Sequence, residues 1–516
     1  MYMIVPLTIS TTHFSVPCSK TTGVLNDTGV SIVPFLYKYL EEVEYNQQAM
    51  KPRVIARYNT YDDRIQQVLL PINTLLLFKD YIARSTASPS GTTSYVTTEE
   101  FYLDPWEPAT VSSYMKPDIV LRDGQEDMID FLVNEDETFK PLSAQTGTGK
   151  TLSSIYAASK LGYPTMIVLP MLIKQWHREI LKFTDLDKKD IYIIKGYPAL
   201  FNLWKLHDTQ EYRPTIILMS TRTLMNYCHH PQGSYTEIPS YAEMCKTFGI
   251  GTKIIDETHL NFWANVIIDL HSNIRHNIYL SATYQRASPS GRRCFDLIYP
   301  KQMRYGESNV ERYTQVYVVS YSLPIPQSDH SFFKTPNGYQ HTQYEKYLLR
   351  CGSYFYEYYR HAIRPCLITY YINQSQPDQR CLIIVSMRET AIQLYTLIAD
   401  DMRDGKLPMH TLSVYFSGES DTYGRTENLD ADIIISTLKS CGTGRDIANL
   451  KTCINTVSFS SSPQAQQLVG RLRKLPDEET IFVDLWNRTI QSHYIHQRNR
   501  RNAYYPRVKQ INNITY

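Results

Sequence analysis

Short apolar runs alternate with amphipathic helical stretches from about residue 118 onward, and this alternation limits the chain to few folds. The first runs are rich in β-branched and aliphatic residues and lie at 165–169, 191–194, 215–219, 253–255 and 277–280. Strands that are apolar along their whole length and alternate with helices form parallel sheets covered on both faces. This part of the chain is therefore predicted to be an α/β lobe.

A second series of apolar runs follows the first, again with helical stretches between them. Its members lie at 316–319, 381–385, 412–416, 432–436, 456–459 and 480–483. Helix-rich sequence from 341 to 372, broken near Pro365, is expected to join the first of these strands to the second. Since 516 residues exceed what one core usually organises, we predict two tandem parallel-sheet lobes preceded by a small accessory domain.

The predicted domains are an N-terminal accessory domain at 1–115, a first lobe at 116–305, a second lobe at 306–490 and a basic tail at 491–516. The accessory domain contains one expected helix around 35–45 and ends near a loop rich in serine and threonine at 85–94. The tail is basic and aromatic, and it is expected either to add electrostatic grip or to be an ordinary solvated helix. Tyrosines at 353–360 are expected to pack between helices rather than to stack on bases.

Composition argues for a soluble, intracellular protein. The chain is 42% hydrophobic and 20% charged, with a net charge of +2, so wholesale disorder is not expected. Nine cysteines contain no CxxC pair, which is typical of reduced thiols rather than of disulfides or a zinc site. The N-terminus has no signal-peptide pattern, and the longest apolar run, 68–78, is too short to span a bilayer.

A glycine-rich loop follows the apolar stretch 139–143 and precedes a helical stretch at 152–160. It reads Ala144, Gln145, Thr146, Gly147, Thr148, Gly149, Lys150, Thr151. Glycines let such a loop wrap closely, so that backbone N–H groups and the helix N-terminus face an anion. Lys150 would reach the β- and γ-phosphates of ATP, and the Thr151 hydroxyl would hold Mg²⁺. A chance glycine-rich turn is the alternative, which the strand–loop–helix context disfavours.

Two carboxylates, Asp256 and Glu257, follow the apolar run 253–255 and are succeeded by Thr258 and His259. An aspartate at a strand end can hold Mg²⁺, and the adjacent glutamate can polarise an attacking water. A polar strand exit with a helix cap is the alternative. The glycine-rich loop upstream favours the catalytic interpretation.

With these elements in place, the order of motifs between about residues 120 and 485 resembles the superfamily 2 helicases. In the first lobe the matching segments are 121–125, 144–151, 168–170 with Gln175 and Trp176, 220–224, 256–259 and 281–283. The resemblance implies RecA-like lobes and an adenine contact by Gln125. It also implies that the strand end 168–170, the helix that carries Gln175 and Trp176, and the segment 220–224 touch the nucleic-acid backbone. A hydrogen-bonded link through Ser281 and Thr283 is implied as well.

In the second lobe the matching segments are 382–386, Ser436 and Thr437 with 442–446, and 467–474. The resemblance assigns nucleotide contacts to Gly444, Asp446 and Arg473, and catalytic charge neutralisation to Arg471 and Lys474. The family usually has arginine where Lys474 stands, and lysine lacks the bidentate fork. Arg471 is therefore expected to be one arginine finger, while Arg473 and Lys474 remain open as the second basic group.

The resemblance implies an ATPase that uses ATP and Mg²⁺ and moves on nucleic acid. Its details are most similar to phage and large-virus helicases, which favours DNA remodelling by a monomer on DNA, without a membrane partner. An RNA helicase or transcript-release translocase is the main alternative. A non-catalytic nucleic-acid clamp and the motor subunit of a restriction system are further alternatives. No nuclease-like domain follows the second lobe, although the accessory domain leaves the last alternative open.

Overall fold

The computed structural model describes residues 2–26, 28–46, 51–85, 95–144, 148–170, 173–229, 238–282, 288–306, 312–335, 338–416, 429–441, 447–476, 478–505 and 508–516. The chain divides into two compact units, residues 1–307 and 308–516. Among the described helices, none combines the length and the apolar character that crossing a bilayer requires.

The N-terminal part of the first unit is a small sheet domain. Its described strands are β1 (Tyr2–Ile9), β2 (His13–Pro17), β3 (Glu41–Asn46), β4 (Lys51–Arg57), β5 (Thr60–Asp62), β6 (Gln67–Pro71) and β7 (Tyr95–Tyr102), with helices α1 (Val33–Phe35) and α2 (Leu75–Arg84). Within these residues the main sheet has the order β5-β6-β2-β1-β7, and β3 pairs with β4. The helix expected at 35–45 corresponds to α1 and a π-helical segment, Leu36–Leu40, which ends where β3 begins at Glu41. Residues 86–94 of the expected loop lie outside the described residues.

A parallel sheet follows in the same unit, as predicted. Its described strands are β8 (Phe139–Ser143), β9 (Thr165–Leu169), β10 (Ile191–Ile194), β11 (Ile216–Ser220), β12 (Thr252–Ile255) and β13 (His276–Ser281). They lie in the order β10-β11-β9-β12-β13-β8, and each described pair is parallel. The helices are α3 (Gln125–Val133), α4 (Lys150–Leu161), α5 (Ile173–Phe183), α6 (Tyr197–Gln210), α7 (Thr221–His229), α8 (Tyr241–Thr247), α9 (Phe262–Leu270) and α10 (Pro289–Ile298).

Apolar side chains fill both faces of this sheet because successive residues of a strand point to opposite faces. Ile254 and Ile278 belong to the core on one face, while Ile255 and Tyr279 belong to the core on the other. The second of these cores is continuous with that of the N-terminal sheet domain. The boundary predicted near residue 115 therefore does not separate two independent cores, and the division at that point stays a prediction.

The second unit contains another parallel sheet. Its described strands are β14 (Thr314–Tyr321), β15 (Lys334–Thr335), β16 (Gly338–Tyr339), β17 (Arg380–Val385), β18 (Leu412–Tyr415), β19 (Ile433–Thr437), β20 (Leu450–Asn455), β21 (Thr480–Asn487) and β22 (Gln510–Thr515). In the described residues the main order is β18-β19-β17-β20-β21-β14-β22, all parallel. The fold class of two parallel-sheet RecA-like lobes is thus confirmed. The strand predicted at 456–459 was misplaced, since β20 has already ended there.

Helices α11 (His341–Arg350), α12 (Gly352–Tyr358) and α13 (Arg364–Leu367) follow β16, with π-helical turns on both sides of α13. The break expected near Pro365 is absent from this fully described stretch, and the backbone stays helical through the proline. Pro365 lies in the first turn of α13, where a residue without a backbone N–H is tolerated. Phe355, Tyr358 and Tyr359 are buried, which confirms that this aromatic cluster packs between helices.

Residues 491–516 are part of the second lobe rather than a separate basic tail. The remaining helices of this unit are α14 (Arg388–Arg403), α15 (Leu438–Cys441), α16 (Ser462–Val469) and α17 (Gln491–Tyr504), and β22 then pairs with β14. Arg500 is fully buried and its guanidinium pairs with the equally buried Asp484. Tyr504 donates a hydrogen bond to the same carboxylate at 3.0 Å. Burial of these two groups excludes them from the proposed electrostatic grip.

Candidate active site

The functional segments of the first unit follow the carboxyl ends of neighbouring parallel strands. Ser143 of β8 lies opposite Ser281 of β13, and Ile255 of β12 lies opposite Tyr279 of β13. Because parallel strands end at the same edge of the sheet, the glycine-rich loop, the carboxylates and Ser281 meet there. Such an edge is where ligands bind in open α/β sheets.

The glycine-rich loop leads directly into α4. Gly149 has φ +92°, a conformation that favours glycine, and Lys150 is the first helical residue. The Lys150 ammonium is 8% exposed and donates a hydrogen bond to the carbonyl oxygen of Ala144 at 2.6 Å. Gln145, Thr146 and Gly147 lie outside the described residues. The bond to Ala144 joins Lys150, the group predicted to meet the phosphates, to the residue that follows β8.

Gln125 lies against this loop. It begins α3 and is 1% exposed, and its Oε1 accepts a hydrogen bond from the Arg122 backbone N–H at 2.7 Å. A Cβ built on Gly149 would be 1.9 Å from Gln125 Nε2, so the amide occupies the space that glycine leaves. The structure therefore brings Gln125 to the phosphate loop, while its contact to adenine stays a prediction.

Asp256 is held by two hydrogen bonds. Its Oδ1 accepts from the Glu257 backbone N–H at 2.8 Å, and its Oδ2 accepts from Trp176 Nε1 at 2.9 Å. Burial, together with the Glu257 charge, raises the pKa of Asp256 to about 6, although the Trp176 hydrogen bond and the Lys150 charge act in the opposite direction. Both oxygens of Asp256 are therefore held by hydrogen bonds, while burial disfavours the charged form of the carboxylate.

These residues fit a bound Mg²⁺. Two adjacent carboxylates, one of them disfavoured in its charged form by burial and by its neighbour, are stabilised by a divalent cation. Carboxylate and hydroxyl oxygens are the ligands that Mg²⁺ prefers. Thr151 lies on the first turn of α4 at the same edge. Asp256 and Thr151 would hold the ion, as the sequence predicts.

A hydrogen-bonded link joins the carboxylate segment to the end of β13. His259 is 4% exposed, and its Nδ1 lies 2.8 Å from Ser281 Oγ and 3.4 Å from Glu257 Oε2. Thr258 donates to the carbonyl oxygen of Leu280 at 3.0 Å. Ser281 therefore contacts the carboxylate segment through His259. Thr283, the second residue expected in this link, lies outside the described residues.

Trp176 has a different position from the one that the sequence suggested. It was expected beside a nucleic-acid backbone, but it is 2% exposed and bonded to Asp256. The spacing of Ile173, Trp176 and Ile180 on α5 is that of a buried helix face, and this signal could have predicted the burial. Gln175 donates from Nε2 to Glu179 Oε1 at 2.8 Å. The buried Trp176 side chain therefore holds Asp256, while the contact of its segment to nucleic acid stays a prediction.

The segment 220–224 forms the start of α7 at the same sheet edge. Ser220 Oγ and Thr223 Oγ1 lie 2.7 Å apart, and the Gly196 N–H donates to Thr223 Oγ1 at 3.3 Å. These bonds fix the strand-to-helix turn after β11. Its contact to nucleic acid stays a prediction.

In the second unit, the predicted segments also follow strand ends. The backbone N–H groups of Ser386 and Met387 donate to the Glu345 carboxylate at 2.7 and 3.0 Å, just after β17. Ser436 donates to the Tyr415 carbonyl at 2.7 Å, and Thr437 donates to Ser440 Oγ at 2.8 Å. Gly444 and Asp446 lie outside the described residues.

The basic segment 471–474 follows the end of α16. Arg471 and Arg473 are partly buried and Lys474 is exposed, whereas Leu472 between them is fully buried. Arg473 donates from Nη1 to the Gly470 carbonyl at 3.3 Å. The buried Leu472 side chain holds this segment against the core. The basic residues on either side of it therefore extend from a backbone of defined position. The assignment of arginine fingers among the three stays a prediction.

Comparison with known proteins gives one curated relative and several solved structures. No family model matches the sequence. The chain is 24% identical over 377 residues to "Putative helicase 161L" of Invertebrate iridescent virus 6, covering 68% of this chain and 74% of that protein. It is similar in fold to UvsW of T4, with 14% identity, coverage of 99% of this chain and 100% of that one, and a TM-score of 0.35. It is also similar to Dbp5 of S. cerevisiae bound to RNA and ADP BeF3, with 13% identity, coverage of 76% and 89%, and a TM-score of 0.46.

Proposed function

We propose that this chain, a superfamily 2 helicase resembling those of phages and large viruses, couples ATP hydrolysis to movement on DNA and to its remodelling. The proposed remodelling reactions are unwinding, branch migration, fork regression and annealing. One observation carries the proposal. Lys150 begins the helix that follows β8, and the Asp256–Glu257 pair follows β12, so these groups lie at the same edge of one parallel sheet.

The chemistry of this edge is that of phosphoryl transfer to water. The Lys150 ammonium would bind the β- and γ-phosphates, and Glu257 would accept a proton from the attacking water. The water oxygen bonds to the γ-phosphorus as the bond to the bridging oxygen breaks, which yields ADP and phosphate. When bound, Mg²⁺ would be held by Asp256 and Thr151 and would neutralise part of the phosphate charge.

The second unit would supply positive charge to the same transition state. Arg471, with Arg473 or Lys474 as the second group, would neutralise the charge on the transferred phosphoryl group, a contribution on the order of 10³–10⁵ in rate for arginine fingers. Contacts that exist only with the γ-phosphate in place give two states before and after hydrolysis. Alternation between them would move the strand-contacting segments along the nucleic acid.

The choice of DNA rests on the resemblance of the motifs to phage and large-virus helicases. Phosphate contacts do not distinguish DNA from RNA, so the residues of the motor motifs favour neither polymer. RNA is the alternative polymer. The ATPase activity is measured with single-stranded DNA, branched DNA and RNA, and the stimulation by each shows which polymer is the substrate.

The decisive experiment measures ATP turnover, strand displacement and fork regression for the wild type and for Glu257→Gln. We expect the variant to bind ATP and to lose turnover by about 100-fold or more, since it lacks the proton acceptor. Lys150→Ala is expected to lose nucleotide binding as well. Stimulation by RNA alone would replace DNA as the substrate, and unchanged turnover in Lys150→Ala would indicate a non-catalytic clamp.

A further inference from the structure

Three aromatic side chains form a stack on the surface of the second unit. The ring centroids of Phe332 and Tyr347 are 6.3 Å apart with an interplanar angle of 21°, and those of Tyr347 and Tyr354 are 6.0 Å apart at 18°. We call Phe332, Tyr347 and Tyr354 the aromatic stack. Phe332 is 64% exposed, although large aromatic side chains are usually buried. An aromatic ring held in this way presents a flat apolar surface to solvent.

Two hydrogen bonds and a buried phenylalanine hold the aromatic stack in position. The Tyr347 hydroxyl donates to Asp329 Oδ2 at 2.5 Å, and the Tyr354 hydroxyl donates to the Pro324 carbonyl oxygen at 3.2 Å. Phe333, the neighbour of Phe332, is fully buried and packs edge-on against Tyr347. Because these contacts hold the rings before any ligand arrives, stacking a further ring on Phe332 costs little conformational entropy.

Exposed cations lie on the segments that carry the stack. Lys346 and Arg350 lie on the helix that carries Tyr347, and Lys334 is two residues from Phe332; all three are exposed. None of them makes an ion pair with another residue in the described ranges. Arg350 lies one helical turn after Tyr347, on the same side of α11. Two partly exposed acids lie on the same segments, but Asp329 accepts the Tyr347 hydroxyl and Glu357 pairs with His361, which leaves the three cations available to a ligand.

The stack also lies at the functional edge of the second sheet. The segment that contains Phe332 follows β14, whose carboxyl end shares an edge with those of β17 and β19. Helix α11 is tied to the end of β17 by Glu345, which accepts the N–H groups of Ser386 and Met387. Its buried side chain also accepts the Thr390 hydroxyl at 2.6 Å. The stack is thus rigidly connected to a segment predicted to act in the motor.

We propose that the aromatic stack is a binding site for an unpaired base of single-stranded nucleic acid, which stacks on Phe332 while Lys346 and Arg350 contact the flanking phosphates. This inference rests on the proposed function, because it assumes that the chain handles nucleic acid. A stacked aromatic ring beside basic side chains is the combination that binds single strands without sequence preference. An apolar protein partner would need a wider apolar surface than one ring bordered by cations.

The test compares Phe332→Ala with a matched control, Phe201→Ala, which removes a 45% exposed phenylalanine from α6 of the first unit. Binding of fluorescent oligothymidylate and oligouridylate is measured by anisotropy. We expect Phe332→Ala to weaken binding about 5- to 100-fold, the effect of losing one stacked base, and Phe201→Ala to match the wild type. Phe332→Trp should restore binding, since indole also stacks.

An oligonucleotide with abasic sites separates stacking from charge. On this probe the wild type and Phe332→Ala are expected to bind equally, whereas Arg350→Ala should weaken binding to both probes. Equal binding of wild type and Phe332→Ala to oligothymidylate and oligouridylate would overturn the inference, as would an equal loss on the abasic probe. Failure of the wild type to bind any single strand would instead refute the proposed function. Thermal unfolding of each variant confirms that it is folded.

Discussion

Trp176→Phe tests whether the indole N–H positions Asp256. The substitution keeps an aromatic ring in a site that is 2% exposed, but it removes the donor that lies 2.9 Å from Asp256 Oδ2. The other carboxylate oxygen keeps its bond from the Glu257 N–H. The carboxylate would then be held at one oxygen only, and its orientation toward Mg²⁺ would be less fixed.

The magnitude follows from the kind of bond that is lost. Hydrogen bonds to a charged acceptor contribute about 1.5–3 kcal/mol, which corresponds to about 10- to 150-fold in an equilibrium. Loss of a group that orients a metal ligand typically costs about 10–100-fold in metal affinity or activity. We therefore expect the Mg²⁺ concentration for half-maximal ATPase activity to rise by about tenfold or more.

The assay is a Mg²⁺ titration of ATP turnover at saturating ATP, with single-stranded DNA present. Trp204→Phe is the matched control, since it makes the same change at another buried tryptophan, in α6 of the same unit. A general loss of packing would lower turnover equally at every Mg²⁺ concentration. An unshifted Mg²⁺ midpoint in Trp176→Phe, or an equal shift in Trp204→Phe, would refute the positioning role.

Three further predictions concern the loop, the core and pH. Gly149→Ala should weaken ATP binding at least tenfold, because φ is +92° and the new Cβ would meet Gln125; binding of a fluorescent ATP analogue measures this. Arg500→Met should destabilise the protein by about 3–5 kcal/mol in denaturant unfolding, because Asp484 is left buried and unpaired. His276 is buried, and desolvation is the main reason why its pKa is lowered to about 4. As pH falls, this histidine therefore takes up a proton in the unfolded chain before it does so in the folded one. Stability should therefore drop between about pH 6.5 and pH 4, by up to about 3 kcal/mol, and His276→Phe should flatten this drop in unfolding curves.

Each of these predictions has its own control. Gly405 has φ +70°, and a Cβ added there would meet no atom within 4 Å. Gly405→Ala therefore measures the backbone strain alone, without the steric clash expected at Gly149. Arg498→Met removes an exposed arginine from the same helix as Arg500, and a similar loss of stability there would contradict the buried-pair argument. If wild type and His276→Phe have parallel pH profiles, the neutral buried histidine is not the cause.

The position of the candidate site was largely predictable because its signals are local. The loop 144–151 and the Asp256–Glu257 pair are short segments, and the apolar runs before them match β8 and β12 closely. A strand followed by a glycine-rich loop and a helix leaves little choice of conformation. The parallel order of such strands then brings Lys150 and Asp256 to one edge. The contacts of Gln125 with Gly149 and of His259 with Ser281 join segments far apart in sequence, so no local pattern could predict them.

Other features depended on partners that the sequence does not reveal. Arg500 looks like part of a basic tail, but Asp484 on β21 pairs with it in the core. Trp176 looks like a surface contact, but Asp256 on another strand accepts its N–H. The strand expected at 456–459 was displaced because several apolar residues surround the true strand β20, and pairing with β17 and β21 selects the register.

By itself, the sequence determined that this chain forms parallel α/β lobes with a glycine-rich loop and a carboxylate pair at strand ends, since periodicity and motif spacing are properties of neighbouring residues. Only the tertiary structure decided which charges are buried, which donor holds Asp256, and that the N-terminal sheet shares a core with the first lobe. Burial and hydrogen-bond partners depend on residues that are distant in the chain, and folding alone brings these residues together.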